Sequence, residues 1–225
     1  MICIIPARKG SKGLKNKNIK KLNGKSLILH TIQLAKKCKA IKRIIVSTND
    51  NRIIRMVKKI KGVEVPFKRP AVLSRNNSIA IDAYLQCVDF LERKNKIKIK
   101  NFCVMLPTCP IRNLKDIEKA IKIFYSHRPD FLVSVKETTP KEYVYNLDKK
   151  NYLKISSTKK KLFNRQELND SYTPNGSIYI CNTKKLKKSK TFLTKKTYCY
   201  KMNKKFSVDI DTIEDFNLAK SLILK

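Results

Sequence analysis

The sequence predicts an α/β fold built on a mainly parallel sheet, because short apolar runs and helical patterns alternate along it from the first residues. The first connection reads as a crossover. Ile2 to Ile5 and Arg43 to Ser47 are the first two core strands, and Ser26 to Cys38 is the helix between them. Leu27, Leu34, Ala35 and Cys38, with Thr31 on the same face, recur at helical spacing, so the strands they join run parallel. A helix from Asn51 to Ile60, a short strand from Val63 to Val65 and a helix from Ile79 to Arg93 follow. Next come a strand from Phe102 to Leu106, a helix from Leu114 to Tyr125 and a strand from Phe131 to Val135.

From Glu137 to about Asp170 the pattern turns irregular, polar and rich in lysine and tyrosine, with no helix-length apolar repeat. The chain of 225 residues, 42% of them hydrophobic, suffices for one sizeable core. The expectation is therefore a single domain over 1–225 with an excursion at 137–170. Regular structure resumes as a strand from Gly176 to Cys181. A terminal helix from Ile213 to Leu224 is announced by Thr212 and by Glu214 and Asp215 in its first turn.

Composition excludes several classes. No apolar run approaches the ~20 residues of a membrane span, and Met1-Ile2-Cys3-Ile4-Ile5-Pro6 has no basic leader, so it reads as a strand and not as a secretory signal. Seven cysteines without a C-x-x-C spacing, and two histidines, His30 and His127, speak against zinc. Cys3, Cys87 and Cys181 occupy apolar positions, as small buried hydrophobes of a reducing compartment do, which places the protein in the cytoplasm. The net charge of +35, from 52 basic and 17 acidic residues, raises nucleic acid as a partner. Its distribution argues otherwise. Lysines occupy nearly every segment, including expected turns at Lys149-Lys150 and from Lys184 to Lys190, and form no single arm or stripe.

The strongest local signal is Pro6-Ala7-Arg8-Lys9-Gly10-Ser11-Lys12-Gly13, directly after the first strand and followed by Lys15, Lys17 and Asn18. Two glycines let successive N–H groups turn into one concavity, and Arg8 and Lys12 bring charge for a polyphosphate. It is neither a Walker loop nor a G-x-G-x-x-G fingerprint, and in isolation it also reads as an exposed basic turn. Near the other end, Asp209 and Asp211 stand two residues apart, which on a strand projects both carboxylates to one face, where a cation relieves their repulsion. The competing reading is that Asp211 or Thr212 caps the last helix.

The segment from Ile5 to Gly13, continued by Lys17-Asn18-Ile19, resembles the signature of the acylneuraminate cytidylyltransferases. Further segments fit in the same order: Ile45 to Asp50, Val65 to Pro70, Pro107 to Arg112, Arg165-Gln166, Asn175 to Tyr179 and Asp209 to Thr212. The resemblance covers essentially the whole chain. It implies a Rossmann-like nucleotidyltransferase fold of the glycosyltransferase-A kind, a three-layer sandwich, and a homodimer made through the excursion. By the same resemblance Arg8, Ser11 and Lys12 hold the CTP phosphates, Asn18 and Arg69 contact the cytidine, and Arg165, Gln166, Asn175 and Tyr179 face a nine-carbon sugar acid. Asp209 and Asp211 match the family's magnesium pair.

The reaction so implied has the anomeric hydroxyl of the sugar acid attack the α-phosphorus of CTP, with Arg8 and Lys12 neutralising the departing pyrophosphate and Asp211 as a candidate base. An eight-carbon acceptor such as Kdo, a basic nucleic-acid-binding protein and an inactive homologue are the rival readings. The chain departs from the family pattern at three places. Leu106 stands where a glutamine is common, Lys9 where a glycine is frequent, and Asn76 where an aspartate is frequent.

Overall fold

The computed structural model describes residues 1–10, 13–140, 143–147, 149–154 and 169–223. Its first part runs β1 (Ile2–Pro6), β2 (Lys21–Leu22), β3 (Lys25–Ser26), α1 (Leu27–Lys37), β4 (Arg43–Ser47), α2 (Asn51–Lys58) and β5 (Val63–Glu64). Then come α3 (Ala80–Asn95), β6 (Asn101–Val104), α4 (Leu114–His127), β7 (Phe131–Thr138) and a small pair, β8 (Asn146–Leu147) and β9 (Leu153–Lys154). The chain closes with β10 (Ser171–Asn182), α5 (Thr183–Ser189), β11 (Thr197–Lys201) and α6 (Ile213–Ile223).

Seven strands form one sheet in the order β11-β7-β10-β6-β1-β4-β5. β10 is antiparallel to both neighbours, and every other pairing is parallel. Parallel strands joined by helical crossovers are covered on both faces, and the alternation of side chains assigns each residue its layer. Along β1, Cys3 and Ile5 pack with Ile28 and Ile32 of α1, Ile53 of α2 and Ile121 and Phe124 of α4. Ile4, between them in sequence, packs on the opposite face with Tyr84, Val88 and Leu91 of α3 and Leu186 of α5. The expected three layers are therefore present.

A third apolar cluster matters most for the site. Val208, Ile210, Phe216 and Ala219 meet Leu14, Leu22 and Leu27, so that α6 and the segment before it dock onto the β2–β3 hairpin and the end of the glycine loop. Burial of this apolar surface brings residues almost 200 positions apart to one place. It does so without a ladder: residues 207–211 are not in a strand, contrary to the strand expected for Asp209 and Asp211, and the Ile210 amide donates to the Thr108 carbonyl at 2.8 Å.

Other differences from the expected elements have local causes. The helix beginning at Asn51 stops at Lys58, and the strand expected to reach Leu106 ends at Val104. The turn expected over Lys184 to Lys190 is the helix α5, capped by the Asn182 side chain accepting from the Lys185 amide at 3.1 Å. Its lysines conceal an apolar stripe reduced to the buried Leu186. β11, at the sheet edge, was not expected either, since Tyr198 and Cys199 point an otherwise strand-like sequence outward. Glu137 and Thr138 still belong to β7 and pair with β10, Thr138 opposite Ser171, so the excursion leaves the sheet two residues later than its sequence suggests.

Candidate active site

A cleft of about 380 Å³ opens beyond the carboxyl ends of β1, β4 and β6, where ligands bind in open α/β sheets. Pro6, Arg8, Gly13, Lys17, Asn18 and Asp211 line one side; Arg69, Ala80, Tyr84, Leu106, Pro107 and Thr108 complete it.

The glycine loop leaves β1 under tight control. The Ala7 amide donates to the Ser47 carbonyl at 2.8 Å, and the Ala7 carbonyl accepts from the Thr48 hydroxyl at 2.6 Å. The Lys9 amide donates to Asn49 Oδ1 at 2.7 Å, and the Asn18 side chain donates to the Arg8 carbonyl at 3.0 Å. Asn18, expected to touch the cytidine, therefore holds the loop while lining the cleft. At its far end the loop meets the acidic segment: a Cβ on Gly13 would overlap the Asp211 carbonyl oxygen, closer than any side chain tolerates. Glycine at 13 is thus a requirement of packing, separate from any demand on its backbone angles.

Charges are then distributed over this frame. The Arg8 guanidinium donates through Nη1 to Asn76 Oδ1 at 2.9 Å and to the Ser74 carbonyl at 3.4 Å. Lys17, buried despite its charge, places Nζ 2.6 Å from Oδ1 of the exposed Asp211. Arg69 is buried as well, with Nε on the Ser47 hydroxyl (2.9 Å) and Nη2 on the Ser47 carbonyl (2.6 Å), and burial holds its pKa below the usual guanidinium range.

Asp211 does not cap α6. Thr212 Oγ1 accepts from the Asp215 amide at 3.2 Å, and Asp215 Oδ2 accepts from the amides of Asp211 and Thr212, both at 2.9 Å. This reciprocal box leaves the Asp211 carboxylate to the cleft.

Asp209 lies deeper. Its Oδ2 abuts Gly176, where φ is +72° and a Cβ would sit 2.8 Å from that oxygen, and its Oδ1 is buried with no hydrogen-bond partner among the described residues. Burial pushes the Cys109 thiol up to about 12, with the Asp209 charge adding to the effect. The Tyr179 phenol is pushed up to about 12 by burial, then by Cys109 and Asp209. Both groups stay neutral and frame a carboxylate whose open oxygen suits a hard cation. Among the described residues no group of three or more His, Cys, Asp or Glu side chains could hold a metal alone. A magnesium ion at these two carboxylates would complete its shell from water and substrate phosphates, its usual habit.

The structure thus brings Arg8, Asn18, Arg69 and Asp211 to one cleft, with Asp209 behind it. Asn175 is not at the cleft: it is buried, its Oδ1 accepts from the Ser134 hydroxyl at 2.6 Å, and its Nδ2 donates to the Ser207 hydroxyl at 2.9 Å. It ties β7 and β10 to the segment leading to Asp209, so its amide is not directed at a sugar. Tyr179 is half-buried, its ring against Phe192 at 5.1 Å. Ser11, Lys12, Arg165 and Gln166 lie outside the described residues. Lys17 is the site residue that sequence reasoning passed over as a part of the motif; among so many lysines its charge carries no signal, and only its place beside Asn18 marks it.

Fold and cleft together define an α/β protein whose basic loop and an exposed carboxylate share one cleft beyond the strand ends. The chain belongs to the cytidylyltransferase family, whose model matches residues 2–224. It is 35% identical over 218 residues to an N-acylneuraminate cytidylyltransferase of Streptococcus agalactiae, a match covering 96% of this chain and 51% of that protein. The chain therefore spans about half the length of that relative. A CMP-N,N'-diacetyllegionaminic acid synthase of Legionella pneumophila is 31% identical, with 99% of this chain and 96% of that protein covered. Among solved structures, a CMP:2-keto-3-deoxy-manno-octonic acid synthetase complexed with CTP superposes with a TM-score of 0.69 at 15% identity, over 99% of this chain and 98% of that one, which shows the shared fold.

Proposed function

We propose that the protein transfers CMP from CTP to the anomeric hydroxyl of a nine-carbon, sialic-acid-like sugar acid and releases pyrophosphate. The observation that carries this reading is the contact of Gly13 with the Asp211 backbone, which fixes the basic loop and the acidic segment on one cleft. Relatives named for N-acylneuraminate and N,N'-diacetyllegionaminic acid support the acceptor class over an eight-carbon acid.

Transfer of a nucleotidyl group asks the protein for alignment and charge stabilisation. Arg8 and Lys12 attract the triphosphate and neutralise the leaving pyrophosphate. Lys17, held by Asp211, adds a third cation at the cleft, and its partly buried setting makes that charge count for more than a solvated lysine would. Magnesium, held by Asp209 and Asp211, supplies charge neutralisation at the phosphates when bound. Asp211 is the carboxylate placed to accept the proton of the attacking hydroxyl, since it is exposed and lines the cleft. Arg165, Gln166 and Tyr179 recognise the sugar acid, with Leu106 giving the cleft an apolar surface where a glutamine is common in the family.

The protein works as a homodimer through the excursion, where Tyr143, Val144, Tyr145 and Tyr152 are exposed. It acts in a reducing cytoplasm, in keeping with seven free cysteines. Among the described residues no helix is long and apolar enough to cross a membrane. The diffuse surface charge calls for no nucleic acid. Pyrophosphate release with CTP and a panel of sugar acids tests the activity: release with a nine-carbon acid is expected, and equal or exclusive release with Kdo contradicts the acceptor class. Sedimentation tests the assembly, and a fully active monomer at micromolar concentration contradicts it.

A further inference from the structure

Arg8 reaches across the cleft to the segment that follows Arg69. That segment starts from a buried anchor, the Arg69 guanidinium against Ser47, passes through a short helical turn at Ala71–Ser74, and presents Asn76 at the surface. The Arg8 guanidinium donates there through Nη1, to Asn76 Oδ1 and the Ser74 carbonyl. Among the described residues its Nε and Nη2 donors take no protein acceptor. A guanidinium fixed at one nitrogen keeps a two-pronged edge for a phosphate.

We infer that Asn76 is a positioning residue for Arg8, accepting its hydrogen bond without cancelling its charge. An arginine left to itself samples many rotamers and must be ordered when an anion arrives; one already tethered binds with less loss of freedom. A carboxylate at 76 would tether it equally well. It would also set a negative charge beside the guanidinium that a triphosphate has to approach, opposing the phosphates directly and sharing the arginine with them. An amide gives the orientation alone. This chain, in which asparagine occupies the position, thus holds Arg8 with its full charge directed at the nucleotide.

The inference rests on the reading of Arg8 as a phosphate contact, and the test separates the two. Steady-state kinetics with varied CTP are measured for Asn76→Asp, Asn76→Ala, Arg8→Ala and the double variant Arg8→Ala with Asn76→Asp, alongside melting temperatures. Asn76→Asp is expected to raise KM for CTP about fivefold to tenfold at low salt, with a smaller change in kcat and an unchanged melting temperature, because the pair is exposed. Asn76→Ala, which loses the tether and adds no charge, should raise KM only about twofold to threefold. In the Arg8→Ala background Asn76→Asp should add little. Wild-type KM in Asn76→Asp while Arg8→Ala raises it, or an alanine effect as large as the aspartate effect, overturns the inference. Wild-type KM in Arg8→Ala removes the phosphate reading of Arg8, and the inference with it.

Discussion

Lys17 and Asp211 meet at 2.6 Å in the wall of the cleft although 194 residues separate them in the chain. The contact is a consequence of apolar packing: Leu14 and Leu22 on one side and Val208, Ile210 and Phe216 on the other bring the two segments together, and the polar pair forms where they touch. Asp211 is 71% exposed on its side chain, so the pair itself contributes at most about 1 kcal/mol to stability.

Lys17→Met should therefore cost little in folding and much in turnover. Loss of a cation aimed at transition-state charge costs about 2 to 4 kcal/mol, or roughly 30-fold to 1,000-fold in rate. Pyrophosphate release and a urea unfolding curve on the same preparation check it. A variant that unfolds readily yet turns over normally would assign Lys17 to structure.

The acidic pair separates in the same way. Thr212 and Asp215 form the helix cap, so Asp211→Asn should leave the melting temperature nearly unchanged, while Thr212→Ala should lower stability by about 1 kcal/mol. Asp209→Asn and Asp211→Asn should both lower activity steeply and require more magnesium. Titrating magnesium in the pyrophosphate assay decides this, since near-normal activity with an unshifted requirement removes the metal role.

Gly13→Ala tests the frame that supports the site. Its added Cβ must displace the Asp211 carbonyl, which is backbone and cannot swing aside, so a loss of about 1 to 3 kcal/mol is expected from overpacking alone. Turnover should fall further than stability, because the same displacement moves Asp211 away from Lys17. Normal activity in a folded variant would show that the loop and the acidic segment act independently.

Asp50 gives a prediction in pH. It caps α2 by accepting from the Arg52 amide at 2.9 Å, and the Arg52 guanidinium beside it holds its carboxyl below the ordinary value of 3.8. A depressed folded value means stability that is complete above 3.8 and is lost as pH falls through the folded value. Asp50→Asn keeps the cap and loses the charge, so it should be less stable at neutral pH by about 1 kcal/mol, with the gap to wild type closing as pH falls below the ordinary carboxyl value and through the depressed folded one. Urea denaturation at several pH values measures it, and a gap independent of pH contradicts the assignment.

The layers of this fold were legible because local pattern dictates them. The alternation Cys3, Ile4, Ile5 sorts these residues between two layers, and the helical spacing of Ala35 and Cys38 puts both in one of them, while Leu27 at the start of the same stripe packs in the third cluster. α5 and β11 escaped because a short edge element needs few buried residues: Leu186 is buried in the helix, and the strand half-exposes Tyr200 and exposes Tyr198. Spaced motifs single out Arg8, Asn18, Arg69 and Asp211, which the fold brings to one cleft. Lys17 was hidden by the lysine background, and Asn175, read as a sugar contact, is consumed by Ser134 and Ser207, partners 41 and 32 residues away that no local pattern announces.

The central claim is that this cleft joins CMP to a sugar acid, and phosphorus NMR of the reaction tests it most directly. Protein, CTP, magnesium and N-acetylneuraminic or N,N'-diacetyllegionaminic acid are followed in time. The account predicts that the CTP resonances give way in equal amounts to pyrophosphate and to one phosphodiester resonance, and that the phosphodiester fails to form in Asp209→Asn. CTP that persists with every nine-carbon acid, or that yields only inorganic phosphate and CDP, would contradict it.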